Sequence, residues 1–326
     1  MTRLTTVPRP AGDLRQPAAG PRAGTPVRPP RRRSRRSSQR SLWGWAFIGP
    51  AVAGLFVFYL WPLVQTAYFS FTKWGVFGGS TWAGIANYQK LLSDPAVLTS
   101  LRNTIVYTAI VLLGVPIAVV TASLINRPGL RLAKLYRVLF FMPYVAMPVA
   151  VALVWRLMFN GDFGIVNAAL AVVGVEGPHW TSTPGLALVA LGVVGLWASI
   201  GFNMIIISSG LASIPQELYE AAQLDGAGGI RIFFSVTVPL LAPTLFFVVV
   251  ITTITAFQVF DLLFALLGAM NPAMPQTQSL IYLFYSEAFV SNDKGYAAAI
   301  ALLILVVIGA VTAIQFRLQR RWANID

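Results

Sequence analysis

Six long stretches of the chain carry no charge, and they constrain the fold more than any other feature. Residues 41–72, 103–126, 138–155, 177–216, 232–260 and 295–316 contain no Asp, Glu, Lys or Arg. A helix needs about 20 mostly apolar residues to cross roughly 30 Å of hydrocarbon, and each stretch is that long or nearly so. The shortest, 138–155, is flanked by Arg137 and Arg156, whose long stems can carry their charges outward to water. Pro178, Pro184 and Pro215 trim the longest. The pattern predicts six helices over 44–70, 104–126, 137–158, 186–209, 238–260 and 296–317. A closed β-barrel is the other way to cross a bilayer, but it needs alternating strands of about ten residues, which these runs lack. The expected fold is therefore all-α and polytopic. Composition agrees: 56% of the 326 residues are apolar and 11% are charged, against about 25% charged in a soluble domain.

The net charge of +13 is concentrated at one end, since residues 1–40 hold eleven arginines and a single acid, Asp13. Residues 1–42 are rich in Pro, Gly, Ser and Arg and have no apolar period, which predicts a disordered basic tail. Arg31, Arg32, Arg33, Arg35, Arg36 and Arg40 abut the first apolar stretch. In that position they read as a positive-inside anchor at a lipid bilayer, not as a nucleic-acid arm. Arg127, Arg131, Lys134 and Arg137 fill the second connection without an acid, and Arg317, Arg320 and Arg321 lie near the end. The basic clusters thus predict both termini inside the cell, with a spanning domain over 43–322 and a short inner tail at 323–326. The outer connections, 72–102, 159–185 and 261–295, carry the acids Asp94, Asp162, Glu176, Glu287 and Asp293. Within the last of them, 262–286 is uncharged but broken by Asn271, Pro272 and Pro275, and is expected to be an outer loop.

Several chemistries are excluded. The chain has no cysteine, so disulfides, thiol nucleophiles and thiolate metal sites are ruled out. Its one histidine, His179, sits between Pro178 and Trp180 in an outer connection and reads as a surface residue. There is no phosphate-binding G-x-x-x-x-G-K-[ST] loop. Gly226 and Gly228 begin a G-x-G pattern, but the third glycine position is Arg231 and no buried strand precedes it. No catalytic residue, metal site or resident cofactor is expected.

The connection between the fourth and fifth helices is more structured than a turn requires. Ser213 followed by Gln216 has the spacing of a capping box, and Pro215 is tolerated in a first turn. Glu217 and Glu220 suit the positive end of a helix dipole, and Gly226 is placed to end the helix. A short helix over 214–225 is predicted, then a second over 228–236 leading to Pro239. Ala221 and Ala222 let another surface approach closely, beside the apolar anchors Leu218, Tyr219 and Leu224. That is a helix-in-groove pattern; a helix lying on the inner membrane surface is the alternative.

Glu220-Ala221-Ala222, then Gly226, then Val236-Thr237-Val238-Pro239 resembles the EAA loop of ABC importer permeases: Glu-Ala-Ala, three residues, Gly, nine residues, Ile, one residue, Leu-Pro. Val236 and Val238 replace the usual Ile and Leu. Trp45 to Pro50, Tyr59 to Pro62 and Tyr68 to Thr72 are similar to the first helix of the carbohydrate-uptake branch. Gly84-Ile85-Ala86-Asn87-Tyr88, Leu91 to Pro95 and Asn103-Thr104 resemble its outer loop and second helix. The likeness covers roughly residues 43–322 and points to the maltose and glycerol-phosphate permease type.

The resemblance implies a multi-pass subunit of the bacterial plasma membrane that hydrolyses nothing itself. ATP and Mg would be bound by two copies of a separate ATPase, which grip the EAA helix. A second, homologous permease subunit completes the path, and an extracytoplasmic solute-binding protein delivers the solute. Glu220, Ala221, Ala222, Asp225 and Gly226 become the ATPase-coupling residues. For a sugar-like solute the path would come from costly polar groups inside the membrane: Asn203 in helix four, and Thr252, Thr255 and Gln258 in helix five. Thr253 and, at the outer end, Asp261 join this inventory, and Trp197 and Tyr144 offer aromatic faces. Threonines in membrane helices also bond their own backbone or neighbouring helices, which is the competing role. The alternative function is a secondary carrier or channel for a small polar solute. That would want intramembrane acids, of which none lies near a helix centre.

Overall fold

A computed structural model describes residues 36–75, 79–127 and 129–323. The chain divides between Phe56 and Val57 into two units. The first contains the helix Arg36–Leu55. It starts inside the stretch expected to be tail; residues 1–35 of that expected tail, and 324–326 at the other end, lie outside the described residues.

The fold is predominantly helical. Among the described residues, four helices are long and apolar enough to cross a membrane, Ala46–Phe69, Pro95–Ile125, Leu186–Ala212 and Lys294–Gln319. Two bent pairs raise the number to six if each counts as one span: Ala133–Val145 with Pro148–Met158, and Gly229–Leu240 with Ala242–Phe257. The third expected helix, 137–158, is thus not a straight rod. Its halves meet at 95°. Pro143 denies Leu139 its hydrogen-bond donor, and Pro148 does the same to Tyr144, so the ladder breaks where two prolines fall five residues apart. The fifth, expected over 238–260, bends by 69° at Leu241, between Pro239 and Pro243.

Reading boundaries from charge misplaced other ends. The second helix begins at Pro95 rather than 104, because the Asp94 carboxylate accepts the Ala96 N–H at 2.8 Å and Pro95 occupies the first turn. Arg102 is an exposed residue within this helix, so a charge did not mark its end. The segment expected to be an outer loop, 262–286, holds three short helices, Asp261–Leu267, Met274–Thr277 and Leu280–Tyr285. Leu263, Leu266, Leu267, Met274 and Leu280 are buried there, which explains why so many apolar residues sit in a connection. The all-α expectation also misses a small antiparallel hairpin, Thr72–Trp74 with Ser80–Trp82, in register Thr72↔Trp82.

The packed interior lies in three apolar clusters. One joins Val111, Leu191, Val194, Leu263 and Leu266. A second joins Ala118, Met204, Ile207 and Val248. The third, around Leu280, Tyr296 and Ile300, ties the carboxy-terminal helix to the first outer connection. A polar clasp closes this third cluster. Lys90 Nζ lies 3.1 Å from Asp293 and 3.8 Å from Glu287, and sits 3.6 Å above the Tyr296 ring. The Tyr296 hydroxyl donates to Asp94 at 2.7 Å. Burial pushes the Glu287 carboxyl above its usual range, against the pull of Lys90 and with help from Asp293 and Asp94. Asn87 donates from Nδ2 to the carbonyls of Ser70 at 2.8 Å and Thr72 at 2.9 Å, fastening the Asn87-Tyr88 segment to the hairpin.

Candidate functional site

Two places carry functional geometry: an exposed helix in the connection after Leu186–Ala212, and a cavity between the long helices.

The connecting helix spans Gln216–Leu224. The expected capping box is not formed. Pro215 occupies the cap position without a side-chain bond, and Ser213 Oγ donates to the Gly210 carbonyl at 2.7 Å, closing the preceding helix instead. The far end does what the sequence asks. Gly226 adopts φ +74°, its N–H bonds the Gln223 carbonyl, and the Ala227 N–H bonds the Ala222 carbonyl, both at 3.0 Å. That pair of bonds is a Schellman closure, which a left-handed residue makes possible. No residue of this helix is buried. Glu220, Ala221, Asp225 and Gly226 are exposed and Ala222 is half-buried. Leu224 is 90% exposed and Leu218 42%, so an apolar face stands clear of the other described residues. Beyond it, the segment expected over 228–236 continues helically as Gly229–Leu240, with Ile230 and Phe234 exposed.

The cavity has a volume of about 320 Å³ and is framed by helix Pro95–Ile125, the right-angle bend between Ala133–Val145 and Pro148–Met158, and helices Leu186–Ala212 and Ala242–Phe257. The sequence-predicted residues Asn203, Thr252, Thr255 and Gln258 all line it. Asn203 is 1% exposed and its Oδ1 accepts from Thr252 Oγ1 at 3.2 Å, while its Nδ2 has no partner. A buried amide N–H left unpaired is costly, so a hydrogen-bonding occupant is what such a donor lacks. Thr255 Oγ1 donates to its own helix at Ile251 O, 2.9 Å away. Thr253 is elsewhere: it accepts from Gln315 Nε2 at 2.8 Å and joins two helices. Trp197 is outside the cavity lining and packs edge-on against Trp155 at 5.5 Å. Tyr144 does line the cavity, stacked on Phe202 with ring centres 4.5 Å apart.

Sequence reasoning missed Tyr107 and Ser199, which also line the cavity. Both sit one helical turn from an amide, Asn103 before Tyr107 and Asn203 after Ser199, so a polar stripe with a four-residue period was the available signal. Gly195 makes room for Tyr107; a Cβ there would collide with the phenol oxygen. Asn103 itself is structural, donating to the carbonyls of Gln276 at 2.8 Å and Gln278 at 3.2 Å. His179 is exposed and borders a separate cavity of about 220 Å³ with Arg156, Asn160 and Asp162. No cluster of three or more potential metal ligands occurs among the described residues.

Bent apolar helices, an internal cavity and a free connecting helix define a membrane permease. Residues 114–324 match the family described as binding-protein-dependent transport system inner membrane component, and the chain belongs to it. It is accordingly a transport subunit rather than an enzyme. The chain is 34% identical over 295 residues to the probable ABC transporter permease protein YesP of Bacillus subtilis, covering 88% of this chain and 93% of that protein. It is 34% identical over 276 residues to the sn-glycerol-3-phosphate transport system permease protein UgpA of Agrobacterium fabrum, covering 83% and 92%. It is 32% identical over 282 residues to the multiple sugar-binding transport system permease protein MsmF of Streptococcus mutans, covering 86% and 96%. The fold is shared with a chain of a bacterial ABC transporter that imports the acidic polysaccharide alginate, at a TM-score of 0.77 and 20% identity over 88% of this chain and 98% of that one.

Proposed function

We propose that this chain is the membrane-spanning subunit of an ATP-driven importer that moves a sugar or related polyol inward. It crosses the bacterial plasma membrane six times with both ends inside, each bent pair being one span. A second, homologous permease subunit supplies the other half of the path. An extracytoplasmic solute-binding protein delivers the solute. Two copies of a separate ATPase hold ATP and Mg, and this chain binds neither. Glu220, Ala221, Ala222, Asp225 and Gly226 form the handle on which the ATPase pulls. Asn203, Thr252, Thr255 and Gln258 lie on the solute path; Trp197, outside the cavity lining, packs against Trp155 instead.

The observation that carries this reading is the exposed apolar face of Gln216–Leu224, held rigid by the Gly226 closure and left uncovered by the other described residues. The names of the relatives, which include a multiple-sugar and a glycerol-phosphate permease, support the solute class. The absence of cysteine supplies a test. Ala221→Cys is a unique thiol, expected to react with a membrane-impermeant maleimide only from the cytoplasmic side and to be shielded when the ATPase is bound. Labelling from outside, or labelling indifferent to the ATPase, overturns the handle. Uptake into vesicles containing this chain and no ATPase would favour a secondary carrier.

A further inference from the structure

The lining of the intramembrane cavity carries a single charged side chain, Asp261, and no cation. The other polar side chains in it are neutral hydrogen-bonding groups: the hydroxyls of Tyr107, Tyr144, Ser199, Thr252 and Thr255 and the amides of Asn203 and Gln258. Asp261 is exposed to the cavity mouth, and the ion pairs found among the described residues all belong to Lys90, far along the chain. The nearest basic residue on the bent third helix, Arg156, lines the two adjoining outer cavities instead of this one.

Resting on the sugar-import reading, we infer that this half of the path selects by charge: it takes an uncharged polyhydroxylated solute and rejects phosphorylated or carboxylated ones. An anion entering a largely apolar cavity loses its hydration and needs a cation or a converging set of N–H donors in return. This cavity offers the opposite, a fixed carboxylate in its mouth. A sugar ring meets no such penalty. Its hydroxyls can donate to the two Asp261 oxygens and accept from the unpaired Asn203 Nδ2, and its C–H face can lie on the Tyr144–Phe202 stack. The relatives named for sn-glycerol-3-phosphate carry an anion, so the inference separates this chain from them despite their similarity.

The test uses a matched series of probes, glucose, glucuronate and glucosamine, which share a ring and differ in charge. Equilibrium binding is measured on the purified membrane complex, with both permeases and the ATPase, in lipid nanodiscs and without the solute receptor. Two unit charges about 6 Å apart at an effective dielectric of 20 correspond to roughly a hundredfold in binding, so glucose should bind at least about tenfold tighter than glucuronate. The isosteric Asp261→Asn variant should narrow that ratio to within about threefold by strengthening glucuronate binding. Glucuronate bound as tightly as glucose by the native complex, or a ratio unmoved by Asp261→Asn, overturns the charge selection and leaves sugar import standing. Binding of none of the three overturns the sugar reading itself, and this inference with it.

Discussion

The connecting helix and the cavity are built in opposite ways. Gln216–Leu224 is closed by its neighbours in sequence, with every bond that ends it spanning five residues or fewer, and it presents its side chains to the outside. The cavity exists only because residues about a hundred and fifty positions apart, Tyr107 and Asp261, come to face the same space. The first is a rigid part whose shape survives if the rest of the chain moves. The second is a property of how four helices pack, and it changes whenever they do. For the roles proposed above that division is useful: a lever must not deform, and a solute pathway must.

The largest effect separating the two regions should come from Gly226→Val. The site is open, with nothing within contact distance of an added Cβ, so the damage arises from φ +74° alone, where a β-branched side chain is strained. Solute uptake by the reconstituted importer should fall at least about tenfold while membrane insertion and the ATPase activity persist, and Gly226→Ala, costing roughly 1–2 kcal/mol, should be intermediate. Normal uptake by the valine variant would merge the lever with ordinary loop.

Gly195→Leu should come next, on the cavity side. Its side chain would displace Tyr107 into the space the solute needs, so uptake should be lost while labelling of Ala221→Cys by maleimide is unchanged. Asn203→Leu sharpens the contrast further. Losing a buried amide whose Nδ2 is unpaired offsets the loss of the acceptor for the Thr252 hydroxyl, so thermal stability should shift by no more than about 1 kcal/mol while solute binding falls. A parallel loss of both would make Asn203 a packing residue. At the small end, Ser213→Ala should alter stability by less than about 0.5 kcal/mol, because no cap bond to the connecting helix is there to lose.

The outer clasp gives a modest pH effect outside both regions. Burial raises the Glu287 pKa in the folded chain, so the folded state binds the proton more tightly than the unfolded one. Its contribution should therefore be most favourable at low pH and be lost as pH rises through the folded value. Unfolding midpoints followed across pH 4 to 7 should show this slope in the native chain and lose it in Glu287→Gln, by a small margin because the group is partly solvated and paired with Lys90.

What could be read directly from the sequence follows the same division. The long apolar helices were legible because hydrocarbon tolerates so little charge, and the Gly226 turn because a left-handed residue is a local demand. The right-angle bend in the third span was not read, although Pro143 and Pro148 were in view; each proline alone is compatible with a membrane helix, and only their spacing removes two rungs of the ladder. The helical character of 261–285 was hidden because its pieces are too short to cross and the packing that stabilises them comes from distant helices. Four of the five residues chosen for the path do share the cavity, since intramembrane polarity is a strong filter. Trp197 does not, because an aromatic ring on an apolar helix has as much reason to pack against another tryptophan as to meet a solute.

The right-angle break between Ala133–Val145 and Pro148–Met158 leaves a backbone carbonyl without its helical donor. The Tyr144 carbonyl can find no donor four residues on, because Pro148 has no N–H, and most of the surrounding side chains from Val138 to Leu157 are turned away from the body of the chain. Bare backbone at such depth is tolerable only against protein or water, never against acyl chains. On the proposed reading a lone copy of this polypeptide is poorly suited to a lipid-only neighbourhood, and the second permease subunit is the part that would cover that notch.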